Sequence, residues 1–194
     1  MAECLTVRKK GFTLLELMLV IGIIAGLVAL ILPKMNNFQK YQKLDDTAQQ
    51  LQSHIRLAQN QASSGVKCLS GARAKNWSLV LENTRSYKIV PQCTDGTDKP
   101  TTVYSLPAET EILTLEVVTA AGSCSDTSKV FAGYSLIFDN ITADTNFNIP
   151  EVSPCFSYTA QPVKNLGVFL TLSALPTEFT SVVVQKGGGI YVSN

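Results

Sequence analysis

The sequence predicts an α+β protein in which a long, bent N-terminal α-helix packs on an antiparallel, β-rich head. Three observations predict it. Residues 12–32 form an apolar run of 21 residues with a single charge, Glu16. Beyond Pro33 the helical pattern resumes with its apolar residues on one stripe. From Val66 onward it gives way to short β-rich runs separated by Gly, Pro, Asn, Asp and Ser. A helix laid on an antiparallel sheet is the layered arrangement that such a series of elements supports.

The apolar run comes first in the chain. At a rise of about 1.5 Å per residue it reaches roughly the 30 Å of a bilayer core, so it can span a membrane. A carboxylate within such a helix costs about 2.5 to 3.5 kcal/mol at the centre and less towards an end, and an intramembrane ionisable group marks function. Glu16 therefore needs a partner. Gly22 and Gly26, one helical turn apart, give a smooth face on which a second helix can approach closely. Pro33 removes one backbone donor and bends or loosens the turn before it. An ordinary secretory signal does not account for the run, which is longer than a signal core, has no A-x-A site closing it, and carries a glutamate near its start. Arg8, Lys9 and Lys10 favour a cytoplasmic N-terminus, although Lys34, Lys40 and Lys43 beyond the span weaken the asymmetry.

The second helical segment is amphipathic. Leu44, Ala48, Leu51, Ile55, Ala58 and Ala62 recur at spacings of four and three, while Lys43, Asp45, Asp46, Gln49, Gln52, Arg56 and Gln59 occupy the other faces. One stripe of this width suits packing on a sheet. Ser63-Ser64-Gly65 supplies the stop, since glycine adopts the left-handed cap most easily. His54, the only histidine, stands at the edge of the stripe as a solvated or half-buried helix residue. A catalytic base would need partners that the sequence does not show.

The head is read from alternating runs and turn residues. Residues 77–81 and 87–90, split by Glu82-Asn83-Thr84-Arg85-Ser86, form a hairpin. A short strand is expected at Val66, and further strands at 102–106, 112–118, 130–138, 167–172, 181–185 and 190–192. The last two flank Lys186-Gly187-Gly188-Gly189, a hairpin turn. This glycine run is not a phosphate loop, because no helix follows it and no Gly-Lys-Ser/Thr is present.

Charge and cysteine content bound the function. The chain has a net charge of +1, with 16 basic and 15 acidic residues, and no polybasic nucleic-acid surface. Cys68, Cys93, Cys124 and Cys155 are an even number in the head, so an oxidising compartment allows two disulfides with three possible pairings. Sequential pairs, Cys68 with Cys93 and Cys124 with Cys155, close the shortest loops. Four reduced, partly buried thiols are the other reading. No CxxC or Cys/His cluster suggests a metal, and no cofactor motif is present. G-x-S-x-G, H-E-x-x-H and similar catalytic frames are absent, so no enzymatic activity is expected. Asn76-Trp77-Ser78 and Asn140-Ile141-Thr142 fit the N-x-S/T acceptor pattern. Lys67, Arg73 and Lys75 make a small basic loop, read as solvated.

Lys9-Lys10-Gly11-Phe12-Thr13-Leu14-Leu15-Glu16-Leu17 resembles the N-terminus of the type IV pilin and type II secretion pseudopilin superfamily. The resemblance is close from Lys9 to Pro33. It implies that a prepilin peptidase, which is also the methyltransferase, cuts between Gly11 and Phe12 and methylates the new amine of Phe12. It makes Glu16 the family's assembly glutamate and Pro33 its helix-breaking proline. The implied order is a leader at 1–11, a transmembrane assembly helix at 12–33, the amphipathic half of the helix at 34–65 and an extracytoplasmic head at 66–194. Cys4 would leave with the leader, and the mature chain would hold 13 basic and 14 acidic residues, a net −1. The implied partners are the peptidase, other pilin or pseudopilin subunits, an inner-membrane assembly platform and membrane lipid. The implied location is the bacterial inner membrane, then a periplasmic or extracellular filament.

Within the superfamily the head is loosely similar to H-type minor pseudopilins and related minor pilins, on Ile55-Arg56-Leu57-Ala58-Gln59-Asn60-Gln61-Ala62, on Trp77-Ser78-Leu79-Val80 and on the terminal hairpin. The C-terminus carries no arginine-rich tail, so nucleic-acid binding is not implied. The alternative reading is a membrane-anchored binding module, an adhesin or surface-polymer receptor, that does not polymerise. An anchor alone gains nothing from a carboxylate at Glu16.

Overall fold

The structure, a computed structural model, describes residues 11–93, 101–140, 144–173 and 175–193, without the side chains of 30–37 and 175. The leader with Cys4, Arg8, Lys9 and Lys10 thus lies outside the described residues, as do Ile141 and Thr142 of the second acceptor sequence. The chain divides into two compact units, Met1–Tyr41 and Gln42–Asn194. One helix, α1 (Leu14–Ser63), contributes to both and is helical through Pro33.

In the first unit every described residue from 11 to 29 is exposed, large aliphatic side chains included. Among the described residues no helix is long and apolar enough to cross a membrane. The described side chains of the apolar run end at Ala29.

In the second unit the stripe read from the sequence is the buried face of α1. Leu44, Ala48, Leu51, Ile55, Ala58 and Ala62 are each 2% exposed or less. Side chains three and four apart stack on one side of a helix, so a single line of contact buries all six. Leu51 and Ile55 line one small apolar space with Leu79 and Leu136 on one side and Leu166 and Val168 on the other, so α1 stands against both sheets. Burying each such leucine or isoleucine contributes about 1.5 to 3 kcal/mol. The helix stops where expected: Gly65 has φ +62°, and Val66 N–H donates to Gln61 O across the final turn.

The two sheets are antiparallel and five-stranded. The first has the order β3-β2-β1-β6-β7, built from β1 (Ala74–Leu81), β2 (Ser86–Cys93), β3 (Thr102–Ser105), β6 (Ser135–Asp139) and β7 (Thr145–Asn148). The second has the order β10-β9-β8-β4-β5, built from β4 (Thr110–Thr119), β5 (Ser123–Asp126), β8 (Val163–Leu172), β9 (Leu175–Gln185) and β10 (Ile190–Ser193). A short 3₁₀ helix, Phe156–Ala160, precedes β8. The hairpin expected at 77–90 is β1–β2, with Leu81 opposite Tyr87 and Trp77 opposite Pro91. The glycine-rich turn joins β9 to β10, with Ile190 opposite Val184 and Gly188 at φ +82°.

Two readings of the head are corrected and two strands are added. The strand expected over 130–138 begins only at Ser135, because Phe131 and Tyr134 are fully buried from a loop rather than from a strand face. The short strand at Val66 is reduced to an isolated bridge between Lys67 and Arg73. β5 and β7 were not expected from the sequence. Each is a four-residue, largely polar edge strand, Ser-Cys-Ser-Asp and Thr-Asn-Phe-Asn, with no apolar alternation to reveal it.

Candidate functional site

The N-terminal end of α1 is assembled from its cap outward. Thr13 precedes the first helical residue, and its Oγ1 accepts a hydrogen bond from the backbone N–H of Glu16 at 3.3 Å. Thr13 O accepts from Leu17 N–H at 3.2 Å. Thr13 is thus an N-cap and Glu16 stands three residues into the helix, the positions of a capping box. A carboxylate in the first turn also complements the positive end of the helix dipole. The T-x-x-E spacing that signals this cap is present in the sequence, beside the intramembrane and assembly readings of Glu16.

Gly11 and Phe12 lie before the helix, Phe12 84% exposed. No atom stands within 4 Å of where a Cβ would be on Gly11, Gly22 or Gly26, so the glycine face is open. Leu14, Leu15, Leu17, Met18, Leu19 and Ile21 are all more than half exposed. A helix apolar all the way round is suited to lipid or to the interior of a bundle rather than to water. The structure therefore brings Gly11, Phe12 and Glu16 together at one end of an uncovered apolar helix. Pro33 lies far along the same helix, and its side chain is outside the described ones.

The cysteines form two disulfides in the head, Cys68–Cys93 and Cys124–Cys155, 25 and 31 residues apart. The first ties the loop after α1 to the end of β2. The second ties β5 to the loop before the 3₁₀ helix, beside a buried polar cluster. There Asp126 Oδ2 accepts from Tyr134 Oη at 2.6 Å and from Ser153 Oγ at 2.9 Å. Asp126 Oδ1 accepts from Ser128 N–H at 2.9 Å, while Tyr134 Oη and Ser153 Oγ lie against each other with both their protons directed to the carboxylate. Burial alone would raise the Asp126 pKa, but the hydrogen bonds from Ser128, Tyr134 and Ser153 outweigh it and hold the carboxyl below its ordinary value. Burial, then Asp126, pushes the Tyr134 phenol above its ordinary value. Ser153 gives its proton to a carboxylate and accepts from Cys155 N–H, so the cluster holds two loops together. Nothing in the sequence spacing of these three residues could have joined them.

His54 is half-buried, its Nδ1 2.7 Å from Tyr87 Oη and its ring 4.1 Å from that of Tyr104. Burial lowers its pKa and favours the neutral ring. Lys67, Arg73 and Lys75 are exposed. Arg73 lies over Gly65, where a cation complements the carbonyl end of α1. Asn76 sits within β1. Asn140 Nδ2 donates to Ala74 O. Among the described residues no group of three or more His, Cys, Asp or Glu could hold a metal ion.

No protein-family model matches the sequence, and no curated protein matches it. Among solved structures, the minor pseudopilin EpsH from the Type 2 Secretion System of Vibrio cholerae is similar to this chain. It aligns over 78% of this chain and 96% of its own length, at 13% identity and a TM-score of 0.45.

Proposed function

We propose that the chain is a structural, minor subunit of a type IV pilus or a type II secretion pseudopilus. The observation that carries this reading is the apolar helix exposed on all sides, with one carboxylate in its first turn and Gly11-Phe12 immediately before its cap. In this reading residues 12–33 insert in the inner membrane, and a prepilin peptidase cleaves after Gly11 and methylates Phe12. The freed ammonium of Phe12 and the carboxylate of Glu16 are each costly to leave unpaired in lipid. Each is neutralised by its opposite on a neighbouring chain offset along the axis, which sets the register of stacked helices. Pro33 bends or loosens the turn before it, at the end of the span. The four head cysteines and the retained Glu16 support a minor subunit with an ordinary place in the filament, held at the periplasmic or outer side.

Intact and N-terminal mass spectrometry of the protein from cells that have the processing peptidase tests the proposal. The expected mature chain begins at Phe12 with one extra methyl on its amine. A chain beginning at Met1, or cut near residue 32, would overturn it.

A further inference from the structure

Two links join β5 to the loop after β7, and they stand side by side. One is covalent, Cys124 to Cys155. The other is the hydrogen bond that Ser153 Oγ donates to Asp126 Oδ2 at 2.9 Å. Their register is that of an antiparallel pair: Cys124 meets Cys155, and Asp126, two residues on, meets Ser153, two residues back. Residues two apart on a strand project to one face, so β5 turns the sulfur and the carboxylate towards the loop together. Both ends of the second link are held. Thr114 Oγ1 donates to Asp126 O at 2.8 Å, which fixes the end of β5 on β4. On the loop, Cys155 N–H donates to Ser153 Oγ at 3.0 Å and Phe156 N–H to Ser153 O at 3.1 Å, so a movement of Ser153 carries Cys155 with it. Asp126 and Tyr134 are fully buried and Ser153 nearly so, and little water competes for these bonds. The Cys68–Cys93 disulfide joins other segments, the loop after α1 and the end of β2.

We propose that the Asp126–Ser153 link is a latch that keeps the Cys124–Cys155 disulfide closed against attack by a dithiol. Cys155 is fully buried and Cys124 partly exposed, so a dithiol reaches Cys124 Sγ. The thiolate of the reagent bonds to that sulfur, the Sγ–Sγ bond breaks, and Cys155 leaves as a thiolate. With the latch closed, Cys155 stays against the mixed disulfide and attacks Cys124 Sγ again, expelling the reagent, because two groups held in register react as one molecule. Only when the loop swings away does the second thiol of the reagent complete the reaction. The reagent then ends as its cyclic disulfide, and two electrons and two protons have passed to the two cysteines. The latch therefore holds β5, a short polar edge strand, on its sheet after a first attack. Asp126 and Ser153 act here as positioning residues. The inference concerns the head alone and survives failure of the filament reading.

The Cys68–Cys93 disulfide is an internal control, since a variant that merely weakens the whole head exposes both disulfides. The test incubates the folded full-length chain, carrying Cys4→Ser so that only the head cysteines react, with dithiothreitol in neutral detergent. Alkylation at timed intervals and peptide mass spectrometry assign the freed thiols to each disulfide. Ser153→Ala, which removes one hydroxyl, should speed reduction of Cys124–Cys155 about tenfold, the factor that one hydrogen bond to a charged acceptor supplies, and leave Cys68–Cys93 near its wild-type rate. Asp126→Asn should show the same selectivity. Leu51→Ala, which weakens the core through α1, should speed the two disulfides to a similar degree. A wild-type rate at Cys124–Cys155 in Ser153→Ala would overturn the proposal. So would equal speeding of both disulfides in that variant, or the same selective speeding in Leu51→Ala.

Discussion

Glu16 has two roles available to it, and a substitution separates them. Glutamine keeps the side chain that a capping box uses at that position and removes only the charge. If pairing with Phe12 of a neighbour is what Glu16 supplies, Glu16→Gln should lower incorporation into sheared filaments as far as Glu16→Ala does, with membrane insertion nearly normal. Wild-type incorporation of the glutamine variant would leave the cap as the whole role. In the head, Asp126 and His54 both have pKa values depressed by folding, so the unfolded chain binds more protons and stability falls with acidification. The His54 contribution is complete above about pH 6.5 and is lost as pH falls below it, and that of Asp126 is complete above about pH 3.9 and is lost further down. Melts at stepped pH should show His54→Gln flattening the upper window and Asp126→Asn the lower. Asp126→Asn should also cost about 2 kcal/mol near neutrality, since hydrogen bonds to a charged acceptor are among the stronger ones. The T-x-x-E cap was legible in the sequence because it is local. The Asp126–Tyr134–Ser153 cluster was not, because its members meet only after a hairpin and two loops have closed.

At the scale of elements, α1 was the most legible part, since burial on one side of a helix writes a repeating pattern over many turns. The hairpins β1–β2 and β9–β10 were legible for the same reason at a period of two. Legibility failed where apolar side chains are buried from a loop, as at Phe131 and Tyr134, and where strands are short polar edges, as in β5 and β7. The stripe makes a direct prediction. Leu51 is 1% exposed and Leu57 38%, so Leu51→Ala should destabilise the head by about 2 to 5 kcal/mol and Leu57→Ala by about 0.5 kcal/mol or less. Circular-dichroism melts of the two variants, which differ only in the face they alter, check this.

The whole molecule joins an exposed apolar helix to a head fastened by two cross-links. In the chain-entropy account, loops of this size stabilise a fold by about 3.5 kcal/mol each through the unfolded state. Reduction of both disulfides should therefore lower the thermal midpoint of the head sharply, and Cys68→Ala paired with Cys93→Ala should reproduce about half of that loss. A midpoint indifferent to dithiothreitol would mean that the core alone holds the head. Dependence on oxidation would place completion of the fold outside a reducing cytosol.

The Thr13 cap sets where helical backbone begins, and so decides which peptide bonds an enzyme meets already unwound. Proteolysis draws on backbone that is free of regular hydrogen bonding, and a bond within a helix must first be melted out. Because α1 starts at Leu14, the Gly11–Phe12 bond stands two residues clear of the helix. If the proposed processing takes place there, the enzyme would have no helix to unwind, and the hydroxyl that begins the helix would also set how far the helix stands from the cut.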